Sequence, residues 1–171
     1  MSKNDDEVVD AVLTASRVLV AVATQSLGAT AEETTLAQYR ALVVLASRGP
    51  QRMVDLARAL GVTPSTSGRM CDRLSRKGLI RRHRARTDRR EVLVSVTAAG
   101  REVVDQATAR RRELLADILA KLDEEQRSGI AAALVAFAEA AGEVPDQHWP
   151  GGQVHAPRGV HEKGRAGHEA I

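Results

Sequence analysis

The residues best suited to chemistry in this sequence are arginines. Between Arg69 and Arg90 lie ten basic residues, Arg69, Arg73, Arg76, Lys77, Arg81, Arg82, Arg84, Arg86, Arg89 and Arg90, against two acids, Asp72 and Asp88. Guanidinium groups are planar, permanently charged donors, so the chemistry they offer is the clamping of phosphates and base edges rather than the making of bonds. The whole chain has a formal charge of only +3, which leaves the remainder net acidic. A compact positive segment on such a chain is the footprint of a phosphate-binding surface, because each cationic contact releases a condensed counterion. An ordinary solvated face mixes its signs instead.

Spacing divides these residues between two carriers. In the run Gly61-Val62-Thr63-Pro64-Ser65, Gly61 closes a short helix, Thr63 caps the next through its hydroxyl, and Pro64 takes the first helical position, where no N–H is needed. So short a turn between two helices predicts a helix-turn-helix. Advancing the second helix, Pro64 to about Lys77, by about 100° per residue gathers Ser65, Arg69, Asp72, Arg73 and Arg76 on one arc. Ser67, Met70, Cys71 and Leu74 fall on the opposite side, where they would pack. A helix of this kind fits the major groove of B-DNA, where arginine bonds guanine through two acceptors. The unpaired N–H groups from Thr63 to Thr66 suit a phosphate oxygen. Asp72, three or four positions from Arg69 and Arg76, is expected to hold their guanidinium groups in place.

The second carrier is a hairpin, Ile80 to Arg84 with Glu91 to Val96, in which Val92, Val94 and Val96 alternate. Its arginines, Arg84, Arg89 and Arg90 among them, suit the narrow, strongly negative minor groove beside the helix.

Other reactive groups have simpler readings. The single cysteine, Cys71, cannot form an internal disulfide, agrees with a reducing cytoplasm, and falls on the packing side of its helix as a small core residue. His148, His155, His161 and His168 lie in the tail without an acid or cysteine at ligand spacing, so no metal is expected, and His83 meets solvent or phosphate. The acid pairs Asp5-Asp6, Glu32-Glu33 and Glu124-Glu125 sit near helix starts, where the dipole accounts for them. Motifs of the types GxSxG, GxxxxGK[ST], GxGxxG and HExxH are missing from the chain, so neither an enzyme nor a cofactor is expected.

The elements that must position the arginines follow from composition and period. The chain has 171 residues, 43% hydrophobic but 2% aromatic, so alanine, valine and leucine supply the core and helices are favoured. No apolar run approaches the roughly 18 residues of a bilayer span, and the acidic N-terminus lacks a secretory pattern, so a cytoplasmic protein without a membrane partner is expected. Val9, Leu13, Val20 and Leu27, widened by Val12 and Leu19, predict a long helix from about Asp6. Thr35 with Gln38 forms a capping box for a helix from Leu36 to Ser47, and a short helix spans Met53 to Leu60. Thr97 caps a long helix to about Leu122, and Asp123 with Gln126 caps another, Glu124 to Ala141. From Gly142 the sequence loses periodicity, which predicts a disordered tail.

The stretch from Leu36 to Gly100, above all GVTPSTSGRMCDRLSRKGLIRR followed by TDRREVLVSVTAAG, resembles the winged helix-turn-helix of the MarR family of bacterial transcription regulators. The resemblance covers residues 7 to 141 and implies a mainly α fold with a small β-hairpin wing and long terminal dimerisation helices. It divides the chain into an N-terminal dimerisation helix (1–34), the DNA-binding module (35–97), C-terminal dimerisation helices (98–141) and the tail (142–171). It implies a homodimer whose recognition helices meet a pseudo-palindromic operator, with Ser65, Thr66, Arg69 and Arg73 on the major groove. Asp88 and Arg90 match the family's Asp-x-Arg wing motif, in which the acid positions the minor-groove arginine. Thr63, Pro64, Arg76, Arg84 and Arg89 complete the expected DNA-binding set. The sequence departs from the family in Gly68 at mid-helix, in Arg86 where proline is common, and in Cys71 where an aliphatic residue is common.

The implied function is that of a sequence-specific regulator, a repressor, partnered by double-stranded DNA and by itself. A small aromatic effector would enter a cleft between the dimer helices and the module, lined mainly by aliphatic residues with Tyr39 as hydroxyl donor. Two alternatives remain: a winged-helix protein-interaction module that meets an acidic partner, and a DNA-binding regulator switched by oxidation of Cys71.

Overall fold

The computed structural model describes residues 3–28, 34–85, 90–145 and 148–150. Among these residues, six helices and a small antiparallel sheet follow in the order α1 (Lys3–Leu27), α2 (Leu36–Arg48), β1 (Gln51–Arg52), α3 (Met53–Leu60), α4 (Pro64–Arg76), β2 (Ile80–Arg84), β3 (Val92–Val96), α5 (Ala98–Leu119) and α6 (Glu124–Ala140). The fold is mainly helical with a hairpin wing, as the sequence pattern predicts.

Local signals set most of the boundaries. The capping boxes at Thr35 and Asp123 are both present, each side chain accepting from the N3 amide while the N3 glutamine answers the cap amide. Thr97 is extended (φ −89°, ψ 173°) and accepts from Gly100 N, which starts α5. Helix α1 has no basic residue in its last turn; Arg110 of α5 instead donates through Nη1 to the carbonyl of Leu27 at 3.3 Å.

The sheet order is β1-β3-β2. Strand β3 pairs with β2 from Ile80↔Val96 to Arg84↔Val92, and with β1 through Gln51↔Val94 and Arg52↔Leu93. Two residues without β-branching give no strand signal, so β1 is absent from the sequence reading; backbone pairing to Val94 and Leu93 creates it.

The core lies where α2 meets the other elements of the winged module and α5. Leu42, Leu45, Leu56, Leu74, Val94 and Val104 are each 0 or 1% exposed, and burying one such side chain contributes about 1.5–3 kcal/mol. The outer helices behave differently. Only Val22, Ser26 and Leu27 of α1 are buried and α6 buries nothing, so Val12, Leu13, Leu19 and Val20 of α1 and Ile130, Leu134, Val135 and Phe137 of α6 stay exposed in the single chain.

The chain beyond α6 departs in part from the expectation of a disordered tail. Its described residues, 142–145 and 148–150, fold back: Glu143 pairs with Arg40 of α2, Trp149 packs on the core and donates through Nε1 to the Val144 carbonyl at 2.8 Å, and Pro150 accepts from Arg101 at 3.0 Å. Two long-range charged contacts and one indole hold what periodicity could not detect. Residues 151–171, with His155, His161 and His168, lie outside the described residues.

Candidate nucleic-acid interface

The turn between α3 and α4 is built as its residues require. Gly61 adopts the left-handed conformation (φ 64°) that a glycine reaches without strain, ending α3. Thr63 is extended, Pro64 opens α4, and the Thr63 hydroxyl accepts from Thr66 N at 3.3 Å while donating to Thr66 Oγ1 at 3.0 Å. Ser65 Oγ lies 3.1 Å from Thr63 Oγ1, so three hydroxyls cluster at this helix start.

Helix α4 divides as its arc predicts. Ser67, Cys71 and Leu74 are buried and Met70 is half-buried, while Ser65, Arg69, Asp72, Arg73 and Arg76 are exposed. Ser67 secures the inner face by donating to Met53 Sδ at 3.4 Å. No hydrogen bond or ion pair among the described residues engages the side chains of Arg69, Arg73 or Arg76. Gly68 has nothing within 4 Å of where a Cβ would stand, so the face of α4 is open at that point.

Asp72 corrects the sequence reading. Its partner is neither Arg69 nor Arg76 but Arg82 of β2, whose Nη2 donates to Asp72 Oδ1 at 2.6 Å. The hairpin folds back so that β2 runs beside the C-terminal half of α4, and a carboxylate ten residues away in sequence becomes nearer than its helical neighbours. The pair ties the helix to the wing. Sequence spacing could not find it, because the contact exists only once the turn at Gly78 (φ 71°) has formed.

On the wing, Arg81 donates from Nε to Ser95 Oγ at 3.3 Å, His83 Nδ1 lies 3.5 Å from the same oxygen, and Arg52 of β1 pairs with Glu91. Arg84 and Arg90 are exposed. Asp88 and Arg89, together with Arg86 and Thr87 of the wing tip, lie outside the described residues.

The wing and α5 share one joint. Thr97 N donates to the Leu79 carbonyl at 3.0 Å and its hydroxyl donates to the Gly78 carbonyl at 2.7 Å while accepting from Gly100 N at 3.1 Å. The turn that closes α4 and the turn that opens α5 therefore bond directly to each other.

The Cys71 thiol is 0% exposed. Burial pushes its pKa up, with Arg82 and the neighbouring Ser67 hydroxyl working partly against that, so it is a weak nucleophile on the inner side of α4. Tyr39 is also buried, beneath the Arg111 guanidinium at 5.1 Å from the ring centroid. A cavity of about 500 Å³ beside it is lined by Arg40, Arg111, Arg112, Thr108, Glu143 and Trp149 together with apolar residues. This differs from the mainly aliphatic cleft expected from the sequence, because Arg111 and Arg112 of α5 turn toward α2 and the chain end adds Glu143. Among the described residues no three or more metal-ligating side chains group together, and no helix is long and apolar enough to cross a membrane.

Comparison with known proteins gives a consistent picture. A sequence model described as the MarR family matches residues 34–92. The crystal structure of RV1404 from Mycobacterium tuberculosis is 43% identical and superimposes with a TM-score of 0.78 over 85% of this chain and 99% of that one. YusO from Bacillus subtilis is 27% identical, with a TM-score of 0.59 over 81% of this chain and 99% of its own. The HTH-type transcriptional repressor MdtR of Bacillus subtilis is 33% identical over 107 residues, 63% of this chain and 69% of MdtR. The chain spans 60 to 65% of the length of three other curated regulators that it matches.

Proposed function

This chain belongs to the MarR family, and we propose that it is a cytoplasmic, sequence-specific regulator of transcription that binds double-stranded DNA as a homodimer. The observation that carries the reading is the open arginine face of α4, with Arg69, Arg73 and Arg76 exposed and without intramolecular partners among the described residues, beside a basic wing. Ser65, Thr66, Arg69 and Arg73 meet base edges in the major groove. The amides from Thr63 to Thr66, following Pro64, receive a phosphate, and Arg76 and Arg84 contact the backbone. Arg90, with Asp88 and Arg89 on the wing tip, enters the minor groove.

The apolar residues left exposed on α1 and α6 support the homodimer. Phe137, 57% exposed, falls with Ile130 and Leu134 on one stripe of α6, an apolar surface that a lone chain would be costly to keep in water. Repression is inferred from the likeness to the transcriptional repressor MdtR. A small aromatic effector entering beside Tyr39 would relieve it by shifting the spacing of the recognition helices.

The test is binding to duplex DNA from upstream of the protein's own gene. Light scattering should give twice the 18.4 kDa of one chain, and affinity should survive competitor DNA yet fall steeply with salt as several phosphates are neutralised per subunit. Association that competitor abolishes would turn the reading toward a module that meets an acidic protein partner.

The Asp72–Arg82 pair yields a separate prediction. Both side chains are about half exposed, so the pair contributes no more than about 1 kcal/mol to folding. Asp72→Ala should leave the melting temperature almost unchanged while weakening DNA binding on all sequences by about five-fold, as the wing loses its fixed angle to α4. An unchanged affinity would show that the wing finds its groove without this tie.

A further inference from the structure

We propose that the described residues beyond α6, 142–145 and 148–150, act as a releasable strap, clasped by Arg40 of α2 at Glu143 and by Arg101 of α5 at Pro150, that braces the winged module against α5. The clasp is specific at each end. Arg40 meets Glu143 through two parallel bonds, Nη1 to Oε1 at 2.9 Å and Nη2 to Oε2 at 2.6 Å, the planar geometry that a guanidinium makes best. Arg48, also on α2, reaches the Gly142 carbonyl at 3.5 Å. At the far end Arg101 Nη2 donates to Pro150 O at 3.0 Å and to Ala46 O, the last turn of α2, at 3.5 Å. One α5 side chain thereby joins the strap and α2 at a single point.

Glu143, Val144 and Trp149 of the strap close one wall of the cavity beside Tyr39. Charge explains why it lies there. Among the described residues, Glu143 is the single acid lining that cavity, against Arg40, Arg111 and Arg112, and Arg111 Nε is buried without a hydrogen-bond partner. The strap brings the cavity its carboxylate and, in Trp149, an apolar cover that packs on the core. The Arg40 guanidinium also holds the Glu143 carboxyl below its ordinary pKa, as expected for a carboxylate stabilised in the clasped state.

The strap is releasable because its charged anchor is weak. Arg40 and Glu143 are each about 40% exposed, so water competes for both. Release would free Arg40 of α2 and Arg101 of α5 from the strap, leaving α2 and α5 held by their shared core but no longer braced at its edge. The expected consequence for DNA rests on the function proposed above: a clasped strap presents the two recognition helices at a fixed spacing, and release weakens binding.

The chain has one tryptophan, Trp149, so its fluorescence reports the strap alone. In the full-length protein, Glu143→Gln should move the emission to longer wavelength and raise the freed fraction, read by acrylamide quenching, about two- to five-fold, in proportion to a half-exposed ion pair. Arg40→Glu should do the same, and combining Arg40→Glu with Glu143→Arg should restore the wild-type signal. Unchanged emission and quenching in Glu143→Gln, or a reversed pair no better than Arg40→Glu alone, would overturn the strap. Affinity of the Glu143→Gln protein for the upstream duplex should fall about two- to five-fold in parallel. Altered emission with unaltered affinity removes the coupling to DNA; a wild-type protein that binds no duplex removes the DNA reading and that coupling, while the emission data still decide whether the strap exists.

Discussion

Replacing Arg69 and Arg73 together by alanine is expected to abolish preference for the operator while leaving the fold intact. Each bidentate arginine–guanine contact discriminates by about 1–3 kcal/mol, so losing both per subunit removes about 2–6 kcal/mol of specific binding. Both side chains are exposed and without partners among the described residues, so the substitutions delete no packing, and the melting temperature should move by no more than the equivalent of about 0.5 kcal/mol. The measurement is affinity for the specific and for a scrambled duplex at the same salt. The double variant should bind the two alike, whereas Arg90→Ala should weaken both to a similar degree. Equal losses on specific and scrambled DNA for the double variant would remove α4 from base reading and leave it as a phosphate clamp.

Gly100→Ala is expected to destabilise the protein more than any surface change discussed above. Gly100 sits in the first turn of α5, where an added Cβ would drive into the Leu79 carbonyl oxygen and come within 2.9 Å of Val96 Cγ2. The oxygen is backbone and already accepts from Thr97 N, so it cannot swing aside. Overpacking of this kind costs about 3 kcal/mol, which corresponds to a fall in melting temperature of about 6–12 °C for a chain of this size. Gly68→Ala is the control. Its site has nothing within 4 Å and is helical, so alanine there should stabilise by about 0.5–1 kcal/mol. A Gly100→Ala protein that melts with the wild type would mean that the α4–α5 joint can yield.

What the sequence made legible was local. Capping by Thr35, Thr63, Thr97 and Asp123 is readable because donor and acceptor lie within three residues, and the two faces of α4 are readable because helical geometry is fixed by the backbone alone. What escaped was tertiary. Asp72 finds Arg82 across a chain reversal, β1 exists only as a partner of β3, and Glu143 reaches Arg40 over 103 residues. Helices α1 and α6 were legible as apolar stripes, yet the stripe does not reveal whether its cover belongs to the same chain. Here most of it remains uncovered within the single chain.

The bonds that Thr97 makes to the carbonyls of Gly78 and Leu79, and its acceptance of the Gly100 amide, leave almost no slack between two long rods. Gly78 N and Leu79 N are in turn bonded to the carbonyls of Ser75 and Leu74, so an unbroken chain of bonds runs from the last turn of α4 to the first turn of α5. Mechanically this is a crank. Torque applied far along α5 is delivered to the arginine-bearing rod instead of being absorbed in a loose hinge.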